Sequence, residues 1–287
     1  MNHRDLVMLT KNYESTIEWL MTNNYIPSYA LCSSCDDKEM KLENNKNIKR
    51  WRCSKCGQVS SIFKNTILEN LKISLSNIID LIYFWSIDLT QNKSAFETDN
   101  ICRDTVSKWY HKLSLQTFFI MKETQANKIG GIGHIVEVDE SKFSKRKYNI
   151  GRLNRSPWIV GGVDIHTGEM FFVEVINRNQ HTLRNILLEK VHLGTTIVTD
   201  CWNGYLNLES LGYIHLTVNH SENFVDPTTG ANTQVIENRW SIFKRKIRSR
   251  FITSKSDFSL IFSEFMFKLK FKTHAFIKIM ENLNKFN

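Results

Sequence analysis

Apolar positions recur at helical spacing through the first part of the chain, then switch after Gly133 to short β-branched runs ended by polar residues. The opening segment to about Asn24 reads as one amphipathic helix. From Ile26 to about Gly57 the chain is polar and weakly periodic, and MKLENNKNIKRWRC within it reads as a hairpin around an Asn-rich turn. Ser74 and Ser76 can cap a helix that carries Ile78, Ile79, Ile82, Tyr83 and Trp85. After a break at Thr90-Gln91-Asn92 come a short polar helix around Ser94–Glu97 and a third helix from Asp99 or Arg103. That third helix carries Val106, Trp109, Tyr110 and Leu113.

Asn127–Gly133, with Gly130, Gly131 and Gly133, is the best boundary, and beyond it the pattern is α/β. Strands are predicted at Ile135–Asp139, Trp158–Asp164, Met170–Ile176, Thr196–Asp200 and Ile214–Val218. The run Asp164-Ile165-His166-Thr167-Gly168 is turn chemistry that joins the second and third as a hairpin. Helices are predicted at Thr182–Val191, near Asn203–Ser210, from about Thr233 to Arg250, and from about Ser256 to Met280. The expected organisation is three modules: 1–66, 67–128 and 129–287. No internal repeat or low-complexity tract interrupts it.

A chain of 287 residues with 41% hydrophobic and 23% charged residues is long enough for a full core and has ordinary globular composition. The net charge of +9 favours a polyanionic partner, although many basic proteins have none. The first twenty-odd residues lack the apolar centre of a signal peptide. The richest apolar run, IIDLIYFWSIDL, is short for a membrane span and is broken by Asp80 and Asp88. The expectation is a soluble intracellular protein, not secreted and with no membrane partner.

Four of the six cysteines form two pairs, Cys32-Ser-Ser-Cys35 and Cys53-Ser-Lys-Cys56. Two such knuckles bring four thiolates to one tetrahedron, so the pattern predicts a structural Zn²⁺ in a ribbon. A closed site of this kind carries no catalysis. Lys46, Lys49, Arg50, Arg52, Lys55 and Trp51 around it either touch DNA or form a solvated face. The three short helices that follow fit a helix-turn-helix unit, and Arg103, Thr105, Ser107 and Lys108 at the start of the last would face the major groove. Three-helix packings that bind nothing share this pattern. Cys102 and His111 read as packing or surface residues.

Three acids complete the picture. Asp139 closes Ile135-Val136-Glu137-Val138, Asp200 closes Ile197-Val198-Thr199, and Glu237 opens a helix rich in bases, including Lys244, Arg245 and Lys246. Two strand-end carboxylates and one helix carboxylate suit a pair of Mg²⁺ or Mn²⁺ ions for phosphodiester chemistry. A single strand-end acid is more often a surface cap, and the combination is what carries weight. Glu137 shares a strand face with Asp139 and reads as a partnered structural acid or a supporting group. His220 could bond a phosphate or be an ordinary loop histidine.

The runs Val138-Asp139-Glu140-Ser141-Lys142-Phe143, Arg146-Lys147-Tyr148-Asn149-Ile150-Gly151-Arg152 and Val198-Thr199-Asp200-Cys201-Trp202 resemble those of Merlin-type DNA transposon transposases and their bacterial insertion-sequence relatives. Phe224-Val225-Asp226-Pro227-Thr228-Thr229-Gly230 and Ile236-Glu237-Asn238-Arg239-Trp240 extend the similarity, which covers about Ile132–Lys272. The resemblance implies an RNase H-like catalytic core behind a zinc ribbon and a helix-turn-helix domain. It assigns a DDE triad to Asp139, Asp200 and Glu237, with two Mg²⁺ or Mn²⁺ ions per active site. Lys142, Lys145, Arg146, Lys147 and Arg152 would grip the DNA backbone. Some relatives use an asparagine as the third catalytic residue, and Gln234 holds that place here; a carboxylate binds Mg²⁺ better than an amide, which favours Glu237.

Implied partners are transposon-end and target DNA and further copies of the chain, as a dimer or larger assembly. The place of action would be the nucleus in a eukaryote or the nucleoid in a bacterium. A retired, DNA-binding descendant of a transposase is the main rival, and a cellular metal-dependent nuclease is a third reading.

Overall fold

A computed structural model describes residues 1–35, 38–45, 48–143, 158–219, 222, 224–249 and 258–285. The chain divides into two compact units, Met1–Glu123 with Phe267–Asn287, and Thr124–Met266.

The first unit opens with two helices, α1 (His3–Leu9) and α2 (Tyr13–Thr22), where the apolar pattern suggested one. The break has a local cause: Asn12 accepts from Ser15 N at 2.9 Å and starts a new helix with a capping box, as Asn2 does for α1. A two-stranded ribbon of β1 (Leu31–Cys32) and β2 (Lys38–Glu39) leads into an antiparallel sheet of β3 (Lys41–Asn45), β4 (Ile48–Arg52) and β5 (Val59–Ser61). The expected hairpin is therefore present. Trp51 is not a surface contact, being 4% exposed, because strand alternation turns it inward while Arg50 and Arg52 turn out towards Glu43. Lys49 is ion-paired with Glu14.

Ser74 caps α3 (Leu75–Ser86) by accepting from Asn77 N at 3.2 Å. Next come α4 (Gln91–Glu97) and α5 (Arg103–Thr124), whose Val106, Trp109, Tyr110 and Leu113 are buried as the spacing predicts. The Tyr110 hydroxyl lies 2.6 Å from Ser94 Oγ and donates to Leu89 O at 3.0 Å, tying α5 to α4. The expected long C-terminal helix is broken at Lys272, whose φ of 45° is left-handed, giving α8 (Phe258–Phe271) and α9 (Ala275–Met280). α9 buries Phe276, Ile279 and Met280, and Gln116 of α5 donates to Ile279 O and Asn282 O at 3.1 and 2.6 Å. Residues from Phe267 onward therefore belong with the first unit, where the sequence pattern grouped them with the α/β core.

The second unit is built on a five-stranded sheet of β6 (Ile135–Lys142), β7 (Trp158–Asp164), β8 (Met170–Val175), β9 (Thr196–Asp200) and β10 (Ile214–Val218), in the order β10-β9-β6-β7-β8. β6, β7 and β8 form an antiparallel meander, and β9 runs parallel to both β6 and β10. Every predicted strand is present. α6 (Gln180–Lys190) covers one face, where Val136, Val138, Val160, Leu183, Leu187 and Ile197 share a core. α7 (Gln234–Ser249) lies on the other face with Phe172, Phe243, Phe262 and Phe265. Where a helix near Asn203–Ser210 was expected there are two short 3₁₀ turns, Asn203–Tyr205 and Glu209–Leu211. Among the described residues no helix is long and apolar enough to cross a membrane.

Candidate active site

The parallel β6–β9 ladder pairs Glu137 with Val198, and continuing that register sets Asp139 level with Asp200 on the same face of neighbouring strands. β6 is the central strand, so Asp139 emerges in mid-sheet, beside α7. An open cleft there is lined by Asp139, Glu140, Ser141, Glu237, Trp240, Ser241 and Lys244. Trp240 seats the helix: it is 3% exposed and lies so close to β7 that a Cβ on Gly161, the partner of Asp139, would stand 2.6 Å from its ring.

The electrostatics bring the three acids together. The Asp139 carboxyl is pushed up to about 6, first by burial and then by the charges of Asp200 and Glu237, against the Glu140 amide and the Trp240 indole. Asp200 accepts from Trp202 N at 3.0 Å, and Glu237 accepts from Thr233 Oγ1 at 3.2 Å. Among the described residues the groups whose ligand atoms all lie within 4.8 Å are the four cysteines and His134, Asp164 and His166, so the triad is more open than either. Three clustered carboxylates, Asp139 and Asp200 half-buried and Glu237 exposed, form a donor set for hard divalent cations.

On the opposite face of β6, Glu140 is pushed up to about 7, first by burial and then by Asp139 and Asp200, while the Tyr205 hydroxyl and Arg178 pull it down. The alignment with Tyr205 is imperfect, since Glu140 Oε1 and Tyr205 OH both lack a hydrogen-bond partner. Arg178 Nη1 is 3.8 Å from Glu140, and its guanidinium stacks 4.0 Å from the Trp158 ring and 4.4 Å from that of Trp202. Arg178 and Tyr205 gave no signal in the sequence; only the fold brings them here.

Of the other predicted contacts, Lys244 lines the cleft, Arg245 is exposed, and Lys246 lies over Phe265 at 5.8 Å. Lys142 is exposed, 5.0 Å over Trp158. Gln234 is the exposed first residue of α7. Lys145, Arg146, Lys147, Arg152 and His220 lie outside the described residues. In α5, Arg103, Ser107 and Lys108 are exposed and Thr105 is half-buried.

In the first unit the Sγ atoms of Cys32, Cys35, Cys53 and Cys56 all lie within 4.8 Å of one another, with Cys32 and Cys56 at 3.6 Å. A tetrahedron with Zn–S bonds of about 2.3 Å needs S···S separations of roughly 3.8 Å, so the four sulfurs can hold zinc. Cys53 is pulled down to about 6 by the amides of Cys56 and Lys55, which favours its thiolate. The second cluster has a structural task. Asp164 Oδ1 accepts from His166 N at 2.9 Å and Thr167 N at 3.3 Å, and Oδ2 lies 2.8 Å from His134 Nδ1, which fixes the β7–β8 turn.

A central strand flanked by an antiparallel pair on one side and two parallel strands on the other, with helices on both faces, is an RNase H-like core. Residues 131–269 match the family model of the ISXO2-like transposase domain, so this stretch is a DDE-type transposase domain. Residues 1–59 match the model of a domain found in initiation factors 2B and 5. Among solved structures, the chain is similar to one in the simian T-cell lymphotropic virus intasome in complex with PP2A regulatory subunit B56 gamma, at 16% identity and TM-score 0.32. The match covers 49% of this chain and 50%, about half, of that one. The HTLV-2 integrase catalytic core domain in complex with magnesium, in its dimeric form, gives 15% identity and TM-score 0.32 over 49% of this chain and 89% of that one. No curated protein matches the sequence.

Proposed function

We propose that the chain is a DDE transposase that binds the terminal inverted repeats of a DNA transposon and catalyses metal-dependent strand cleavage and strand transfer. The observation that carries this reading is the convergence of Asp139, Asp200 and Glu237 on the α7 face of an RNase H-like sheet, within a stretch that matches a transposase domain. Asp139, whose carboxyl feels the charges of both other acids, would hold the divalent ions together with Asp200 and Glu237. When bound, divalent ions supply an activated water or 3′-hydroxyl and charge neutralisation at the leaving oxygen. The residues of the chain do the rest. Lys244 offers a cation to a scissile phosphate in the cleft, and Trp240 and Gly161 hold the helix that carries Glu237.

End recognition falls to the first unit, with the zinc-held ribbon of residues 1–66 and the helices of 67–128 presenting Arg103, Thr105, Ser107 and Lys108 to the groove. Lys142, Lys145, Arg146, Lys147, Arg152, Arg245 and Lys246 are proposed backbone contacts of the catalytic region, and His220 and Gln234 auxiliary groups. Pairing two transposon ends calls for at least a dimer, acting where the DNA is, in nucleus or nucleoid. The test is incubation of the zinc-loaded protein with candidate terminal-repeat duplexes and Mg²⁺ or Mn²⁺. Nicked ends carrying a 3′-hydroxyl, and their joining to a target duplex, are expected. Repeat-specific binding without cleavage in either metal would instead mark a retired, DNA-binding descendant.

A further inference from the structure

Glu137 is a carboxylate in the middle of the central strand, 2% exposed, with Val198 and Val163 as its strand partners. A buried acid with no compensating contact is expensive, so its partners reveal what it is for. It faces the first turn of α7: Ile236 N donates to Glu137 Oε2 at 2.9 Å, and the neighbouring Val235 amide also favours its charged form. These are orphan donors at a helix N-terminus, where the helix dipole favours a negative charge. Here a sheet carboxylate from far away in sequence does the work of a cap.

The position of that cap is what matters. Glu137 is two residues before Asp139 on the same face of β6, and Ile236 is the residue directly before Glu237. From one acid to the other the path is two strand residues, one hydrogen bond of 2.9 Å and one helix residue. A second clamp lies one turn on, where Trp240 packs against Gly161 opposite Asp139. Together they fix both the height and the depth of α7 over the strand.

We infer that Glu137 is a positioning residue for the divalent-ion site, which holds Glu237 in register with Asp139 by capping α7. The inference rests on the proposed triad and adds what sets its geometry. Removing the Glu137 charge leaves the ligands in place and loosens their separation. Supporting groups around metal ligands, when mutated, weaken metal affinity by roughly 10–100-fold.

The test uses the full-length, zinc-loaded protein and reads Mn²⁺ binding directly, by electron paramagnetic resonance of the unbound ion, beside end cleavage. Glu137→Gln keeps the size and one acceptor oxygen. Its Mn²⁺ affinity should fall at least tenfold well below the melting temperature, cleavage should need correspondingly more Mn²⁺, and end binding should be unchanged. Glu237→Gln serves as the reference for loss of a ligand. Val235→Pro, in a helix turn that tolerates proline, removes an N–H that favours the Glu137 charge and should weaken Mn²⁺ in the same direction; it decides the matter if Glu137→Gln does not fold. Wild-type Mn²⁺ affinity in a folded Glu137→Gln protein, or in Val235→Pro where that variant decides, overturns the inference even if the wild type cleaves DNA. Weakened Mn²⁺ binding in a wild-type background that never cleaves upholds it while sinking the transposase reading.

Discussion

Replacing Gly161 by alanine adds one methyl group where the structure has no room for it. The new Cβ would stand 2.6 and 2.7 Å from two ring atoms of Trp240 and 2.9 Å from Phe172 Cδ1. Ordinary carbon contacts are about 3.5–4.0 Å, so the indole and the helix behind it must retreat by roughly 1 Å. Trp240 is buried, so its ring has no route to solvent, and overpacking of this kind destabilises by about 1–3 kcal/mol. For a unit of this size that lowers the melting temperature by roughly 3–10 °C. Glu237 is one turn before Trp240 on α7, and a misplacement of about 1 Å at a reacting centre lowers turnover by on the order of 100-fold. Gly162→Ala is the matched control. Its Cβ would stand 2.4 Å from Phe171 on the other face of the same strand, away from α7. Differential scanning calorimetry should show both variants destabilised, and an end-cleavage assay at about 20 °C should show only Gly161→Ala impaired far beyond its unfolded fraction. Equal cleavage by the two variants at equal folded concentration refutes the idea that close approach of α7 to Gly161 sets the active geometry.

Two further outcomes follow from the titrating groups and the cysteines. Asp139 has a folded value of about 6, above its ordinary 3.8, so the cost of its charge is absent below about pH 4 and fully present above about pH 6. Without added Mg²⁺, Asp139→Asn should match the wild type in stability near pH 4 and exceed it by up to about 3 kcal/mol at pH 7, and saturating Mg²⁺ should reverse that order; parallel melting curves for the two proteins across this range would count against it. Native mass spectrometry should find one zinc per chain, and Cys53→Ser should lose it and melt the ribbon while the ISXO2-like domain keeps its transition; a metal-free wild type of unchanged stability would remove the zinc assignment.

The sheet was readable because its strands are apolar runs closed by a polar residue, and periodicity alone separates those from helices. All five appear where β-branched residues cluster, as do the hairpin turn at Asp164–Gly168 and the helix that carries Glu237. That Asp139 and Asp200 each follow an apolar run was legible for the same reason, whereas the pairing of those two strands, and the continuation of β6 past Asp139 to Lys142, was not. What stayed hidden depends on contacts distant in sequence. Glu137 looks like any strand acid until α7 lies over it, and Arg178 is one base among many until the fold sets it between Trp158 and Trp202. Trp51 looked exposed because its neighbours are basic, and alternation buries it. The breaks near Asn12 and at Lys272 turn on one cap and one left-handed residue, which an apolar stripe does not report.

The central claim is that Asp139, Asp200 and Glu237 together hold the ions that cut and join DNA. It is tested most directly by single-turnover cleavage and joining of terminal-repeat duplexes with Asp139→Asn, Asp200→Asn, Glu237→Gln and Gln234→Ala. DNA affinity is measured on the same samples. Each acid variant removes one negative charge with little change of shape, so cleavage should disappear while end binding stays near wild type. Traces of activity should survive better with Mn²⁺, which accepts mixed ligands more readily, and Gln234→Ala should be mild. An active Glu237→Gln beside a dead Gln234→Ala would move the third ligand one turn along α7, and full activity in all three acid variants would contradict the account.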